Sequence, residues 1–254
     1  MKKDYGVLVI AHGTKNNQAK ILIENTVQAV QTPFPKTIAY LEFDKEQTIS
    51  SGISLLENIG VNKIIIIPLF VSSGSTHLNE IKYMLGLDHS TNHPDIQQIS
   101  INTPILWCSP MDDDPILFKL IFEQINMLSS NSSEENLLLI AHGSEQAYNN
   151  HIWKQLLEKL KQKIEHHYSF SAISYATLHP DNVTFVAKRL LRNGKKLIAI
   201  PLVISQGYLT EKKIPSKLDG LDVMWNGQTL IPHPLMTSWL EAKISERIVQ
   251  EEER

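Results

Sequence analysis

The stretch 5–14, "YGVLVIAHGT", returns at 136–144 as "NLLLIAHGS". Each is a short apolar run that stops at a His-Gly pair. A run of this length without polar alternation reads as a strand buried on both faces, as in a parallel sheet covered by helices. The echo continues outward: "IAYLEFDKEQTISSGISLLENIGVNKIIIIPLFVSSGS" (38–75) matches "ISYATLHPDNVTFVAKRLLRNGKKLIAIPLVISQGY" (173–208) in order and nearly in spacing. A period of about 130 residues is domain-sized, and two copies are too few for a solenoid. The chain therefore reads as a duplication giving two similar lobes, 1–130 and 131–254. The polar stretch "SSNSSEEN" (129–136) is the natural linker between them.

Within each lobe strands alternate with helices. The first strand is followed by helically spaced stretches, "NNQAKILIENTVQAVQ" and "YNNHIWKQLLEKLKQKI". Second strands follow at "TIAYLEF" and "AISYATL", then helices "TISSGISLLENIG" and "VTFVAKRLLRNG" that close on glycine. Third strands lie at "KIIIIPLF" and "KLIAIPLV", and "STHLNEIKYMLG" reads as a further helix. This alternation predicts an α/β fold: in each lobe a parallel sheet flanked by helices.

Composition narrows the function classes. The 254 residues are 42% hydrophobic and 20% charged, as in a globular protein with a sizeable core. A net charge of −3 gives no support to a nucleic-acid or anionic-membrane partner. No apolar run approaches the ~20 residues that span a bilayer. The opening "MKKDYGVLVIAHG" lacks a small-residue cleavage site and reads as a strand, not a leader. Cys108 is the single cysteine, which excludes an internal disulfide or a cysteine-rich metal site and makes a reducing cytoplasm the expected location.

In open parallel sheets, ligands lie beyond the carboxyl ends of the strands. Three such ends in the first lobe carry chemistry: His12 after strand one, Glu42 at the end of strand two, and His77 after strand three. Imidazole suits divalent iron, cobalt, nickel or zinc, and a carboxylate adds an oxygen ligand or a proton acceptor. Each residue alone has a bland reading: a tight turn with a half-buried histidine, a solvated strand end, an exposed helix start. Jointly they fall on the edge that topology marks as functional. The second lobe serves as a control. His142 answers His12, but Thr177 stands opposite Glu42, and Tyr208, Leu209 and Thr210 fill the region of His77. His179 lies nearby, yet "LHPDN" reads as a turn around Pro180. The second lobe is therefore expected to be degenerate as a metal site.

At these residues the chain resembles the class II chelatases of tetrapyrrole biosynthesis, the sirohydrochlorin chelatases of the CbiX and SirB type. The pieces that carry the likeness are "VLVIAHGT", "AYLEF", "IIIIPLFVSSGSTHLNEIKYMLG", "LLLIAHGS", "IAIPLVISQGYLTEKKIP" and "LIPHPLMTSWLEAKI". Together they span nearly the whole chain. The resemblance implies two α/β lobes facing a cleft and insertion of Fe2+ or Co2+ into sirohydrochlorin without ATP or an organic cofactor, the metal being a substrate. It assigns the metal-handling histidines to His12 and His77 and the acidic partner to Glu42. The sequence departs from the family in reading "GSTH" where "GGH" is usual, which shifts His77 by one position.

Sirohydrochlorin is a polycarboxylate and needs donors. Gly13, Thr14, Lys15, Ser73, Gly74, Ser75, Thr76 and Lys82 are the expected contacts, with Ser75 or Thr76 also read as a helix cap. "KRLLRNGKK" (188–196) reads as a solvated helix face, and Tyr148, Trp153 and Trp239 as core residues. A metal or tetrapyrrole carrier without turnover, and a chelatase for nickel or another macrocycle, are the competing readings. A phosphoryl-transfer histidine is disfavoured because no arginine precedes His12 and no glycine-rich cradle is present. Two lobes in one chain remove the need for dimerisation, so a monomer is expected without forbidding a dimer.

Overall fold

The computed structural model describes residues 3–88 and 95–253. Through the first repeat the elements are β1 (Lys3–Ala11), α1 (Asn17–Ala29), β2 (Lys36–Tyr40), α2 (Ile49–Ile59), β3 (Val61–Pro68), α3 (Thr76–Met84), β4 (Ile105–Trp107) and α4 (Pro115–Leu128). The second repeat gives β5 (Glu135–Gly143), α5 (Ala147–His167), β6 (Ala172–His179), α6 (Val183–Leu191), β7 (Lys196–Pro201), α7 (Ile214–Leu218), β8 (Val223–Met224) and α8 (Pro234–Glu252). A π-helical turn, Leu209–Lys213, leads into α7.

Both sheets are four-stranded and wholly parallel, in the orders β2-β1-β3-β4 and β6-β5-β7-β8. The predicted duplication is thus realised strand for strand. Beyond their polar amino-terminal ends the central strands run apolar, because helices cover both faces. Leu8, Ile10, Ile64 and Ile66 pack with Ile53 and Leu56 of α2 in one lobe; Leu138, Ile140, Leu197 and Ala199 pack with Val186 and Leu190 of α6 in the other. Local signals end the helices as expected. Thr48 caps α2 by accepting from the Ser51 N–H, and Gly60 closes it at φ 81°. The last strands, β4 and β8, are three and two residues long, too short for a periodicity to announce them.

The described chain forms two compact units, one comprising Met1–Phe70, Ser75–Pro110 and Ile231–Arg254, the other Val71–Gly74 and Met111–Leu230. The division at 130/131 marks the sequence repeat, whereas in space α4 joins the second unit and α8 the first. The apolar face of α4 packs at β7, and α8 packs at α1 and β3. The expected linker is also partly structural: Glu135 and Asn136 are buried in β5, and Glu135 accepts from Ser129 and Ser130. Burial pushes the Glu135 carboxyl up, but these hydrogen bonds outweigh it and hold it below the usual range. The 188–196 face is solvent-exposed as predicted, and Trp153 and Trp239 are core residues. Tyr148 is not, being 76% exposed on the first turn of α5. Among the described residues no helix is long and apolar enough to cross a membrane.

Candidate metal site

The strand ends of the first sheet bring His12, Glu42 and His77 together, with one ligand atom of each lying within 4.8 Å of the others. His12 follows β1 directly. Glu42 lies two residues past the end of β2, where its N–H still donates to the His12 carbonyl at 2.9 Å. His77 sits in the first turn of α3. Gly13 makes the turn possible: its φ is +103°, and a Cβ there would stand 2.0 Å from the Glu42 carbonyl oxygen.

Hydrogen bonds fix both imidazoles. His77 Nδ1–H donates to Glu80 Oε2 at 2.9 Å, and His12 Nδ1–H donates to the Gly13 carbonyl at 3.2 Å. Both acceptors can only accept, so each ring carries its proton on Nδ1 and presents a lone pair on Nε2. The two Nε2 atoms face each other at 3.2 Å. Two lone pairs at that distance repel unless a proton or metal ion lies between them. An ion with bonds of ~2.1 Å and tetrahedral angles spaces two nitrogens by ~3.4 Å, close to the observed separation. Glu42 Oε2 stands 3.9 Å from His12 Nε2. Burial, helped by neighbouring His77, lowers the pKa of His12 below 6.5, which favours the neutral ligand form. The "GSTH" spacing therefore still delivers His77 to its partner.

The expected polar contacts divide. Thr14 accepts from the Asn16 N–H ahead of α1, and Lys15 lies over the Phe43 ring at 5.3 Å. Ser73 is engaged elsewhere, donating to Asp112 from both N–H and hydroxyl, and Gly74 is buried against Asn149 and Trp153. Ser75 is the N-cap of α3, as expected, although its side chain makes no capping bond; Thr76 begins the helix. Lys82 lies over the Trp107 ring at 5.4 Å, on the last turn of α3.

Two residues escaped the sequence reading. Glu80 was legible in principle, as an acid one helical turn beyond His77. Phe43 was not. It is 53% exposed, holds φ at 64° although it is not glycine, and places its ring 6.0 Å from that of His12.

The second sheet alters one further expectation. β1 pairs Ala11 with Tyr40, and β5 pairs Ala141 with Thr177. Thr177 therefore corresponds to Tyr40, and the residue in the place of Glu42 is His179. A Cβ on Gly143 would meet the His179 carbonyl at 2.1 Å, just as one on Gly13 would meet that of Glu42. The His142 and His179 ring centroids are 4.9 Å apart, so this lobe keeps two imidazoles and not one. The turn around Pro180 is present as well, with Leu178 bridging to Asp181.

Fold and site together define a class: duplicated parallel α/β proteins with a histidine–carboxylate cluster beyond the strand ends of one sheet. The CbiX family model matches residues 6–128 and 136–247, and the chain belongs to that family. Curated relatives include a sirohydrochlorin cobaltochelatase of Methanococcoides burtonii, 25% identical over 126 residues (49% of this chain, 96% of that protein). One of Saccharolobus islandicus is 27% identical over 122 residues (48% and 93%). These relatives each match about half of the present chain. Among solved structures, SirB from Bacillus subtilis with Fe3+ superposes with a TM-score of 0.73 at 16% identity, covering 100% of this chain and 98% of that one. At that identity the likeness establishes the fold.

Proposed function

We propose that the protein inserts a divalent metal ion, Fe2+ or Co2+, into sirohydrochlorin without ATP, at His12, Glu42 and His77 of the first lobe. Family membership and the names of the relatives support the substrate class. The observation that carries the site is the convergence of the two Nε2 atoms, 3.2 Å apart, with the Glu42 carboxylate beside them. Each histidine offers one lone pair, and metal insertion releases two pyrrole protons. As the ion leaves the two nitrogens for the macrocycle, each freed nitrogen can accept one of those protons, so charge and protons balance. Glu42 offsets the charge of the ion and passes protons to solvent. Loose coordination suits a reaction in which the protein must surrender its ligand.

The exposed ring of Phe43 offers an apolar face beside the ion site for a flat macrocycle, and Gly13, Thr14, Lys15, Ser75, Thr76 and Lys82 are the proposed polar contacts. Ser73 and Gly74 act by shaping the loop that leads to them. The second lobe is non-catalytic. We place the reaction in the reducing cytoplasm, where the buried thiol of Cys108, raised by burial to about 12, stays inert, and the working unit is a monomer.

The test is anaerobic mixing of substoichiometric protein with metal-free sirohydrochlorin and Fe(II) or Co(II), followed by absorption. Turnover beyond one equivalent is expected; saturation at one equivalent identifies a carrier instead. His12→Ala and His77→Ala should abolish insertion with the fold intact, while His142→Ala should retain it. Near-normal rates in both first-lobe variants refute the assignment.

A further inference from the structure

In the second lobe a lysine side chain is bonded to one of the two neighbouring imidazoles. Lys213 Nζ lies 2.8 Å from His179 Nε2. An ammonium only donates, so Nε2 offers its lone pair and the ring proton sits on Nδ1. Nδ1 faces Glu145, whose Oε1 is 3.5 Å away. His142 Nδ1–H donates to the Gly143 carbonyl at 3.0 Å, the same tether that His12 makes to Gly13. The first lobe runs carboxylate, imidazole, ion position through Glu80 and His77. The second repeats the order as Glu145, His179 and the Lys213 ammonium.

The local backbone supports this substitution. When Pro68 is matched with Pro201, Lys213 falls at the place of Glu80 and Thr210 at that of His77. Thr210 turns its hydroxyl to the Gly207 carbonyl at 3.2 Å. Lys213 ends the π-helical turn Leu209–Lys213, a rare geometry that recurs at functional sites.

We propose that His142 and His179 form a dormant divalent-metal site and that Lys213 is the tethered cation that keeps it closed, confining the chain to one ion. The inference rests on the proposed function only in assigning that one ion to His12, Glu42 and His77. An ammonium on the Nε2 lone pair removes the ligand and repels an approaching dication. Because it is covalently tethered, its local concentration far exceeds that of a free ion.

Co(II) binding to the full-length protein, measured by anaerobic equilibrium dialysis and by the visible absorption of imidazole-bound cobalt, tests the idea. Wild type should bind one equivalent, lost in His12→Ala. Lys213→Met should bind a second, and Lys213→Glu, which adds a carboxylate, should bind it more tightly. His179→Ala placed on either variant should return the count to one. The inference is overturned if both Lys213 variants, with native circular dichroism, still bind one equivalent. It is equally overturned if wild type binds two and His179→Ala removes one. A first equivalent that survives His12→Ala counts against the proposed function, whereas the second equivalent is read separately from it.

Discussion

A histidine becomes a useful ion ligand only when its second nitrogen is held, and here Glu80 and the Gly13 carbonyl do the holding. Glu80→Gln should weaken Co(II) binding by roughly 10- to 100-fold, the usual effect of losing an outer carboxylate. Global stability should move less than binding, because this is a single ion pair within one helical turn with its Glu80 side chain still 29% exposed. Calorimetric titration of cobalt beside a thermal melt separates the two; equal losses in both would reduce Glu80 to a structural residue. His12, Glu42 and His77 were legible because each lies on the connection that follows a strand of the first sheet, where topology concentrates chemistry. The anchoring of their rings was not, since hydrogen bonds to a carbonyl and to an acid on the same helix leave no long-range mark in the sequence. Phe43 escaped for a related reason: a left-handed backbone at a non-glycine residue has no compositional signal.

Elements fix these side chains through strand register, and register is where the sequence reading failed. Thr177 looked like the counterpart of Glu42 because "IAYLE" and "ISYAT" align by type. Side chains on a strand alternate faces with a period of two, so a two-residue offset keeps every residue on its own face and leaves no mark in the pattern. Pairing of Ala141 with Thr177 reveals His179 instead. The two glycines that permit this crossing make a paired test. Gly13→Ala must adopt φ +103° and displace the Glu42 backbone. It should cost at least ~1–3 kcal/mol and abolish metal insertion. Gly143→Ala meets the His179 carbonyl in the same way, so it should lose comparable stability yet keep insertion. Denaturant melts together with the insertion assay decide; retained activity in Gly13→Ala would mean that Glu42 need not hold its place.

For the whole molecule, the duplication and the parallel sheets were readable from apolar runs and their order, but the ownership of the last helices was not. Helical spacing says that α4 and α8 each bury a face; it does not say against which strands. Met236, Trp239, Leu240 and Ile244 of α8 are almost wholly buried in the first unit. At ~1.5–3 kcal/mol for each large side chain, their removal forfeits about 6–12 kcal/mol, comparable to the entire stability of a domain. Truncation after Leu230 should therefore unfold the first unit, with loss of its cooperative melt and of cobalt binding. A truncated protein that still melts cooperatively and binds cobalt would show that α8 is dispensable.

That ownership bears on ancestry. A forebear consisting of one repeat would have lacked a closing helix of its own kind in place and could have completed its core by lending that helix to a twin, a swap between identical chains. Two repeats within one chain can diverge independently, and a lysine stands in one of them without touching the other.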